Sequence, residues 1–298
     1  MPVTRSFDSI TSAQNVNPRL CLYTPDMTLK DDLQFAIALA RRSGQLARDY
    51  YGKVKRLTKR NDEAVTDADR ACQKLIYEAI RPRFPGDGFI GEENDTGLAI
   101  TSEIPNPAGR VWVVDPIDGT NNFIVGFGHF ATCIGLLDAG RPVLGVVYDV
   151  MEDVMYAAAR GEGMSVNDRR TQVNSDPLSD SSFVMSSSNL IDTNGRAPSW
   201  PARWLGRTPW KMRVIGSAAL DGAQVAAGIA HGAITIHGKL WDVVAPAALV
   251  IEAGGLVTDT QGKAVFPFNL ERYSGARVPN LMASPSAQET LLRELREW

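Results

Sequence analysis

Val111-Trp-Val-Val-Asp115-Pro-Ile-Asp118-Gly-Thr120-Asn-Asn-Phe123 is the stretch on which the reading of this chain turns. Val111 to Val114 make a short apolar run of the kind a buried strand shows, and the run delivers Asp115 at its end. Pro116 has no N–H to give a neighbouring strand, so regular pairing stops there. Asp118 follows in a turn, which lets both carboxylates face one point. Gly119-Thr120 then opens a short helix, where free N–H groups would welcome a phosphate. Two anions a few ångströms apart repel by about 1–4 kcal/mol, depending on the local dielectric. A hard divalent cation removes that repulsion, and oxygen-only ligands suit Mg²⁺ rather than zinc. The same D-P-x-D-G string is also an ordinary turn and helix-cap sequence, so the pair alone leaves both readings open.

Upstream, Thr28 is an N-cap with Asp31 three residues on, as in a capping box. Leu33, Ala36, Ile37, Ala40 and Ala47 recur at helical spacing, and Gly52 follows as a stop. A second helix is predicted from Thr66 to Arg81, with Pro82 ending it. Residues 1–28 read as an N-terminal extension. From Phe89 the rhythm changes to short apolar runs: Val111–Val114, Ala131–Leu137, Val143–Val150 and Val154–Ala158. Ala139-Gly140 and Met151–Asp153 look like hairpin turns, so the first half reads as two helices followed by an antiparallel sheet. Residues 192–209 read as a loop. After it come a helix over Ala218–Ala230, a strand over Ala233–Ile236, a helix over Val243–Ala253, a strand over Leu256–Thr258 and a closing helix over Ser286–Glu297. No internal repeat is visible. The fold class that follows is layered α+β.

Composition narrows the function. The 298 residues include 31 Lys+Arg against 34 Asp+Glu, a formal net charge of −3, with 44% hydrophobic and 22% charged residues. That profile fits a soluble globular protein and excludes a disordered or fibrous chain. Binding of a nucleic-acid polymer by phosphate neutralisation would need a basic face. The longest apolar run, Val243–Ile251, is about half of the ~20 residues that a bilayer requires. No secretory signal pattern opens the chain, and Cys21, Cys72 and Cys133 form neither a disulfide framework nor a zinc cluster. A cytoplasmic location is expected.

Further acids share the placement of the Asp115/Asp118 pair. Glu92-Glu93 directly ends the Phe89-Ile90 strand, and Asp242 stands where the apolar helix opens, a position an ordinary N-cap would also occupy. Glu92, Glu93, Asp115, Asp118 and Asp242 together carry −5, more than the whole formal excess of −3. No G-x-S-x-G elbow is present and no cysteine has a histidine beside it in sequence, so water is the expected nucleophile. Gly126–Ala131 fits G-x-G-x-x-A but leads into a strand rather than a helix, against a dinucleotide site. Gly232–Lys239 has the wrong spacing for a P-loop and Leu240 where Ser or Thr belongs.

Gly91-Glu-Glu93, Asp115 to Phe123, and Trp241-Asp-Val-Val-Ala with Glu252-Ala-Gly-Gly255 resemble, in order and with compatible spacing, the three motifs of the inositol monophosphatase family. Val65-Thr66-Asp-Ala-Asp69 and Arg213-Val-Ile-Gly216-Ser-Ala218 are similar to two further elements of that family. The resemblance implies an α/β/α/β/α sandwich spanning residues 29–298, in two subdomains of about 29–175 and 176–298, with an antiparallel sheet in the first and a mixed sheet in the second. It implies two or three Mg²⁺ ions. Glu92, Asp115 and the Ile117 carbonyl would hold one, and Asp115, Asp118 and Asp242 a second, with Glu93 supporting these ligands. Gly119 and Thr120 would bind the phosphate, and Gly216, Ser217 and Ala218 would line the leaving-group pocket. Glu92 and Thr120, the latter bonded to Asp69, would orient and deprotonate the attacking water, and Asp242 would fix a water that protonates the leaving oxygen.

The implied activity is Mg²⁺-dependent hydrolysis of a small phosphorylated alcohol or sugar by a homodimer sensitive to Li⁺. Inositol phosphates, fructose 1,6-bisphosphate, histidinol phosphate and 3′-phosphoadenosine 5′-phosphate are all substrates of relatives. Inositol-specific members place a Glu seven residues before the Trp-Asp aspartate, and here that position is Thr235. His237 and Lys239 nearby are either loop-surface residues or partners for a second anionic group. A catalytically silent cation-binding protein and an NAD-dependent oxidoreductase are the readings from other classes.

Overall fold

Thr28 starts the first helix as its capping box predicts: its hydroxyl accepts from the Asp31 N–H, and the Asp31 carboxylate accepts from the Thr28 N–H at 2.9 Å. The computed structural model describes residues 28–53, 57–58, 64–93, 101–188, 190–191 and 197–295. Helix α1 (Leu29–Tyr50) buries Leu33, Ala36, Leu39, Ala40 and Ala47 along one face. A two-stranded ribbon, β1 (Leu57–Thr58) and β2 (Ala64–Val65), precedes α2 (Asp67–Arg83). Strands β3 (Gly88–Gly91), β4 (Thr101–Glu103) and β5 (Arg110–Asp118) follow, then the short α3 (Thr120–Val125). The meander β6 (Ala131–Asp138), β7 (Arg141–Asp149), β8 (Val154–Ala159), β9 (Gly163–Val166) and β10 (Arg169–Thr171) completes an eight-stranded sheet in the order β10-β9-β8-β7-β6-β5-β3-β4. It is antiparallel except for β3 against β5, which run parallel because the chain passes out to β4 and crosses back before entering β5.

The rest of the chain builds a second sheet. Its strands are β11 (Phe183–Ser186), β12 (Lys211–Arg213), β13 (Gly232–Thr235), β14 (Leu256–Thr258) and β15 (Asn280–Ala283), in the mixed order β12-β11-β13-β15-β14. Helices α4 (Trp200–Gly206), α5 (Ala218–Ala226), α6 (Leu240–Glu252) and α7 (Pro285–Leu295) separate and cover the sheets. Helices α1 and α2 lie on one face of the large sheet, α5 and α6 fill the space between the two sheets, and α7 backs the outer face of the small one. The result is a five-layer α/β/α/β/α sandwich, as the family resemblance implies.

Several elements differ from their sequence-based expectations. Pro82 lies inside the last turn of α2 rather than ending it: it forfeits one N–H opposite the exposed Glu78, and Phe84 N closes the helix on Ile80 O at 2.9 Å. Part of the predicted 192–209 loop is α4, whose Trp200 and Trp204 pack with Trp210 into a small core on the outer face of the second sheet. Residues 192–196 lie outside the described set, as do Cys21, the N-terminal extension through residue 27 and residues 296–297, where the closing helix was expected to end. Helix α5 stops at Ala226, with Gly228 turning left-handed, and α6 starts at Leu240, three residues early. No helix among the described residues is long and apolar enough to cross a membrane. Cys72 and Cys133 are free thiols, both buried.

Candidate active site

Strand β5 carries the site because it is irregular. Asp115 pairs with Cys133 and Asp118 with Ala131, so three steps along β5 oppose two along β6. In a regular pleat, residues three apart face opposite sides of a sheet. The extra residue at Pro116-Ile117 is a bulge that reverses this parity and brings both carboxylates to one side. Ile117 N donates to Asp115 Oδ1 at 3.0 Å, and Thr132 Oγ1 donates to Pro116 O at 3.0 Å, fixing the bulge. Asp118 is therefore the last residue of the strand and not part of a turn, a correction to the sequence expectation. Its Oδ2 accepts from Ser217 Oγ and, at 2.9 Å, from Ala219 N, at the start of α5.

Asp242 arrives from the middle layer. It is the third residue of α6 and not the N-cap: Lys239 occupies the cap, and its N–H donates to Asp242 Oδ2 at 2.7 Å. Carboxylate oxygens of Asp115, Asp118 and Asp242 lie within 4.8 Å of one another. Burial pushes Asp115 well above the usual carboxylate range, and the charges of Glu92, Asp118 and Asp242 push the same way. Burial takes Asp118 up to about 6, against the lowering effect of its bonds from Ser217 and Ala219. Asp242 rises to about 8 through burial and the charges of Asp118 and Glu92. Three desolvated carboxylates this close are stable as anions only beside a cation, and an all-oxygen set fits a hard one.

The remaining predicted residues collect around this trio. Glu92 follows β3, its N–H bonded to Val114 O at 3.2 Å. With Asp115, Ile117, Asp118, Gly119, Thr120 and Asp242 it lines a polar cleft of about 160 Å³. Glu93 is buried behind it. Gln73, which the sequence reading missed, clamps its main chain: Glu93 N donates to Gln73 Oε1 at 2.8 Å, and Gln73 Nε2 donates to Glu93 O. The available signal was spacing, since Gln73 stands one helical turn after Asp69 on the same face of α2. Asp69 Oδ2 caps α2 by accepting from Thr66 N at 2.8 Å, while its Oδ1 accepts from Thr120 Oγ1 at 3.2 Å. Gly119 sits at φ +94, and a Cβ there would meet His129 O at 3.1 Å and Gly216 O at 3.3 Å, so only glycine lets the chain turn so tightly beside the carboxylates.

A second cleft of about 160 Å³ adjoins the first, sharing Asp118, His237 and Asp242, and takes in Gly216, Ser217, Ala218 and Thr235. Gly216, Ser217 and Ala218, the three expected leaving-group residues, thus lie in one place together with Thr235. Asn122, on α3, ties the segment before β6 to the segment before α5 by donating to His129 O at 2.8 Å and Ile215 O at 2.9 Å. Cys133, the cross-strand neighbour of Asp115, is no nucleophile: burial and the surrounding carboxylates push its thiol well up. The Gly126–Ala131 segment runs from the end of α3 into β6, the reverse of the strand-to-helix order of a dinucleotide loop. Glu252, in the third sequence motif, caps a distant turn by accepting from Gly161 N at 3.0 Å and Gly163 N at 3.2 Å.

Comparison with known proteins places these features in context. The family model described as "Inositol monophosphatase family" matches residues 28–298. A fructose-1,6-bisphosphatase/inositol-1-monophosphatase of Thermotoga maritima is 34% identical over 242 residues, covering 80% of this chain and 89% of the relative. A histidinol-phosphatase of Chlorobaculum parvum is 34% identical over 236 residues, 78% of this chain and 87% of the relative. Among solved structures, a Thermotoga maritima IMPase superimposes with a TM-score of 0.77 at 29% identity, covering 90% of this chain and 97% of that one.

Proposed function

The chain belongs to the inositol monophosphatase family, and from that premise we propose that it is a Mg²⁺-dependent phosphomonoesterase acting on a small phosphorylated alcohol or sugar. The observation that carries this is the trio Asp115, Asp118 and Asp242, two of them buried and the third partly so, whose carboxylate oxygens lie within 4.8 Å of one another. Asp115, Asp118, Asp242, Glu92 and the Ile117 carbonyl are the groups that would hold Mg²⁺, two or three ions in all, with Glu93 braced behind them by Gln73. When bound, Mg²⁺ supplies charge neutralisation for the phosphoryl oxygens and acidifies water.

The chain's own groups do the rest. The Thr120 hydroxyl, held between Asp69 Oδ1 at 3.2 Å and Ile117 O at 3.1 Å, is positioned to orient the attacking water, and Glu92 takes its proton. Main-chain N–H groups of Gly119 and Thr120 receive phosphoryl oxygens as in-line displacement proceeds. Asp242, at the junction of the two clefts, orients the water that protonates the departing alkoxide. Gly216, Ser217, Ala218 and Thr235 contact the alcohol.

Phosphate release from a panel of small esters, with and without Mg²⁺, tests the proposal. Asp115→Asn and Asp118→Asn are each expected to lower the Mg²⁺-dependent rate by at least about 10²-fold, given what charge stabilisation contributes to such reactions. The absence of Mg²⁺-dependent release on any ester, with both variants inert, would leave a silent cation-binding protein as the correct description. Thr235→Glu is expected to improve turnover of inositol 1-phosphate relative to the other esters, and an unchanged ratio removes Thr235 as a specificity switch. A homodimer, Li⁺ inhibition and a cytoplasmic location belong to the same proposal on the strength of the family, and light scattering of the purified chain tests the first.

A further inference from the structure

The leaving-group cleft opens beside a loop whose chemistry the phosphatase reading has not used. Residues 236–239 link β13 to α6, and His237 lines both clefts. Its imidazole is half-buried, and neither ring nitrogen has a hydrogen-bond partner among the described residues; the Ile191 main chain approaches without closing a bond. Both nitrogens are shielded from solvent, and a buried polar ring left unsatisfied gains from a ligand that enters the cleft and meets it.

A second segment is strapped against this loop. Val278 N donates to Gly238 O at 2.7 Å, Lys239 Nζ donates to Gly275 O at 2.7 Å, and Leu240 N donates to the Tyr273 hydroxyl at 2.9 Å. These three tethers set Arg277 beside His237. Arg277 is exposed and lines neither cleft, and it forms no ion pair or hydrogen bond among the described residues. Its charge nevertheless reaches the imidazole: burial first, then Arg277, lowers the His237 pKa from its ordinary value. A neutral imidazole at the cleft wall and, just outside, a guanidinium with no partner among the described residues stand side by side between the cleft and solvent. Thr235 adds no negative charge there, where a carboxylate would repel an incoming anion.

We propose that His237 and Arg277 form a subsite for a second anionic group on the substrate's alcohol, a carboxylate or a phosphate lying a few bonds from the ester that is cleaved. The inference rests on the phosphatase reading and sharpens it from phosphate monoesters in general to those whose alcohol is itself charged. Guanidinium suits this task because it is always ionised and presents paired N–H donors to either group. Attraction by the general field of the protein would help every phosphate ester alike, so a preference between matched esters isolates the subsite.

The test uses the full chain with Mg²⁺ and two substrate pairs. Glycerol 3-phosphate against 3-phosphoglycerate asks about a carboxylate, and fructose 6-phosphate against fructose 1,6-bisphosphate asks about a phosphate. The charged member of at least one pair is expected to have the higher kcat/KM, by about fivefold to tenfold and chiefly through KM, as befits a partly solvated charged contact. Arg277→Gln is expected to bring that ratio close to one, Arg277→Lys to keep part of it, and His237→Gln to reduce it. A preference in one pair alone supports the proposal and identifies the group. Equal kcat/KM within both pairs, or an Arg277→Gln loss shared equally by charged and neutral members, overturns the subsite while leaving the phosphatase intact. No Mg²⁺-dependent hydrolysis of any of the four overturns the phosphatase reading itself.

Discussion

Asp221 is an acid that the proposed chemistry does not employ. It lies on α5, almost wholly buried, and neither carboxyl oxygen has a hydrogen-bond partner among the described residues. Burial, with the charge of Asp118 adding to it, pushes its pKa well above the usual carboxylate range. The folded chain therefore holds this side chain neutral at pH values where the unfolded chain ionises it. That difference disfavours the folded state increasingly as pH rises above about 4. Asp221→Asn keeps the shape without the ionisation, so in chelator at pH 7.5 it is expected to stabilise the protein by about 1–3 kcal/mol. The gain should shrink toward pH 4. Thermal melts at the two pH values check this, and a destabilised variant at pH 7.5 would show that the carboxylate has an ionic partner when folded. From the sequence, Asp221 is indistinguishable from a surface acid on a helix, because its environment is made by α6 and the two sheets.

At the scale of elements, the placement of Asp242 depends on how closely α6 approaches the large sheet. Gly135 and Gly145 are register partners on β6 and β7. A Cβ on Gly145 would lie 2.2 Å from Ala245 O, and one on Gly135 would lie 2.6 Å from the Val244 side chain. Main chain cannot yield as a side chain can, so Gly145→Ala must push α6 and its Asp242 away from Asp115 and Asp118. The expected cost is about 1–3 kcal/mol of stability together with loss of phosphatase activity. Gly206→Ala, at the end of α4 where an added Cβ meets nothing within 4 Å, is the control and should leave both unchanged. Melting temperatures and phosphate release read side by side decide it. The helical periods of α1 and α2 were legible in the sequence because each has one consistently buried face, and the apolar runs of β5 to β8 because those strands are buried on both faces. The short strands β9 to β12, and helix α4 with its proline at the first turn, carry too few residues to show a period and take their form from the strands and core they join.

For the whole molecule, the formal charge of −3 conceals a concentration of acid where the layers meet. Asp118 and Asp242 are raised to about 6 and about 8 without a cation. The folded, metal-free chain therefore binds protons that the unfolded chain has already released between about pH 4 and pH 8, and it loses stability as pH rises through that window. A cation that takes the place of those protons should stabilise more at pH 8 than at pH 5. Melts with Mg²⁺ and with chelator, run across that range, should show a Mg²⁺-induced rise in Tm that grows with pH; a rise independent of pH would mean that the ion binds away from the trio.

The sequence by itself determined the helical stripes, the bulge-forming proline of β5 and the identity of every acid in the cluster, because these depend on local periodicity, on a missing N–H and on residue type. The candidate ligands could be named from their motifs for the same reason. Tertiary structure alone decided that Asp115 and Asp118 share a face through a one-residue bulge, and that Asp242 reaches them from a helix seated on two glycines. It alone decided that Gln73 clamps Glu93 and that Arg277 is strapped beside His237. The bulge is set by the register of β5 against β6, and the other facts are distances between segments far apart in the chain, set by how closely packed layers approach, which no local pattern of residues encodes.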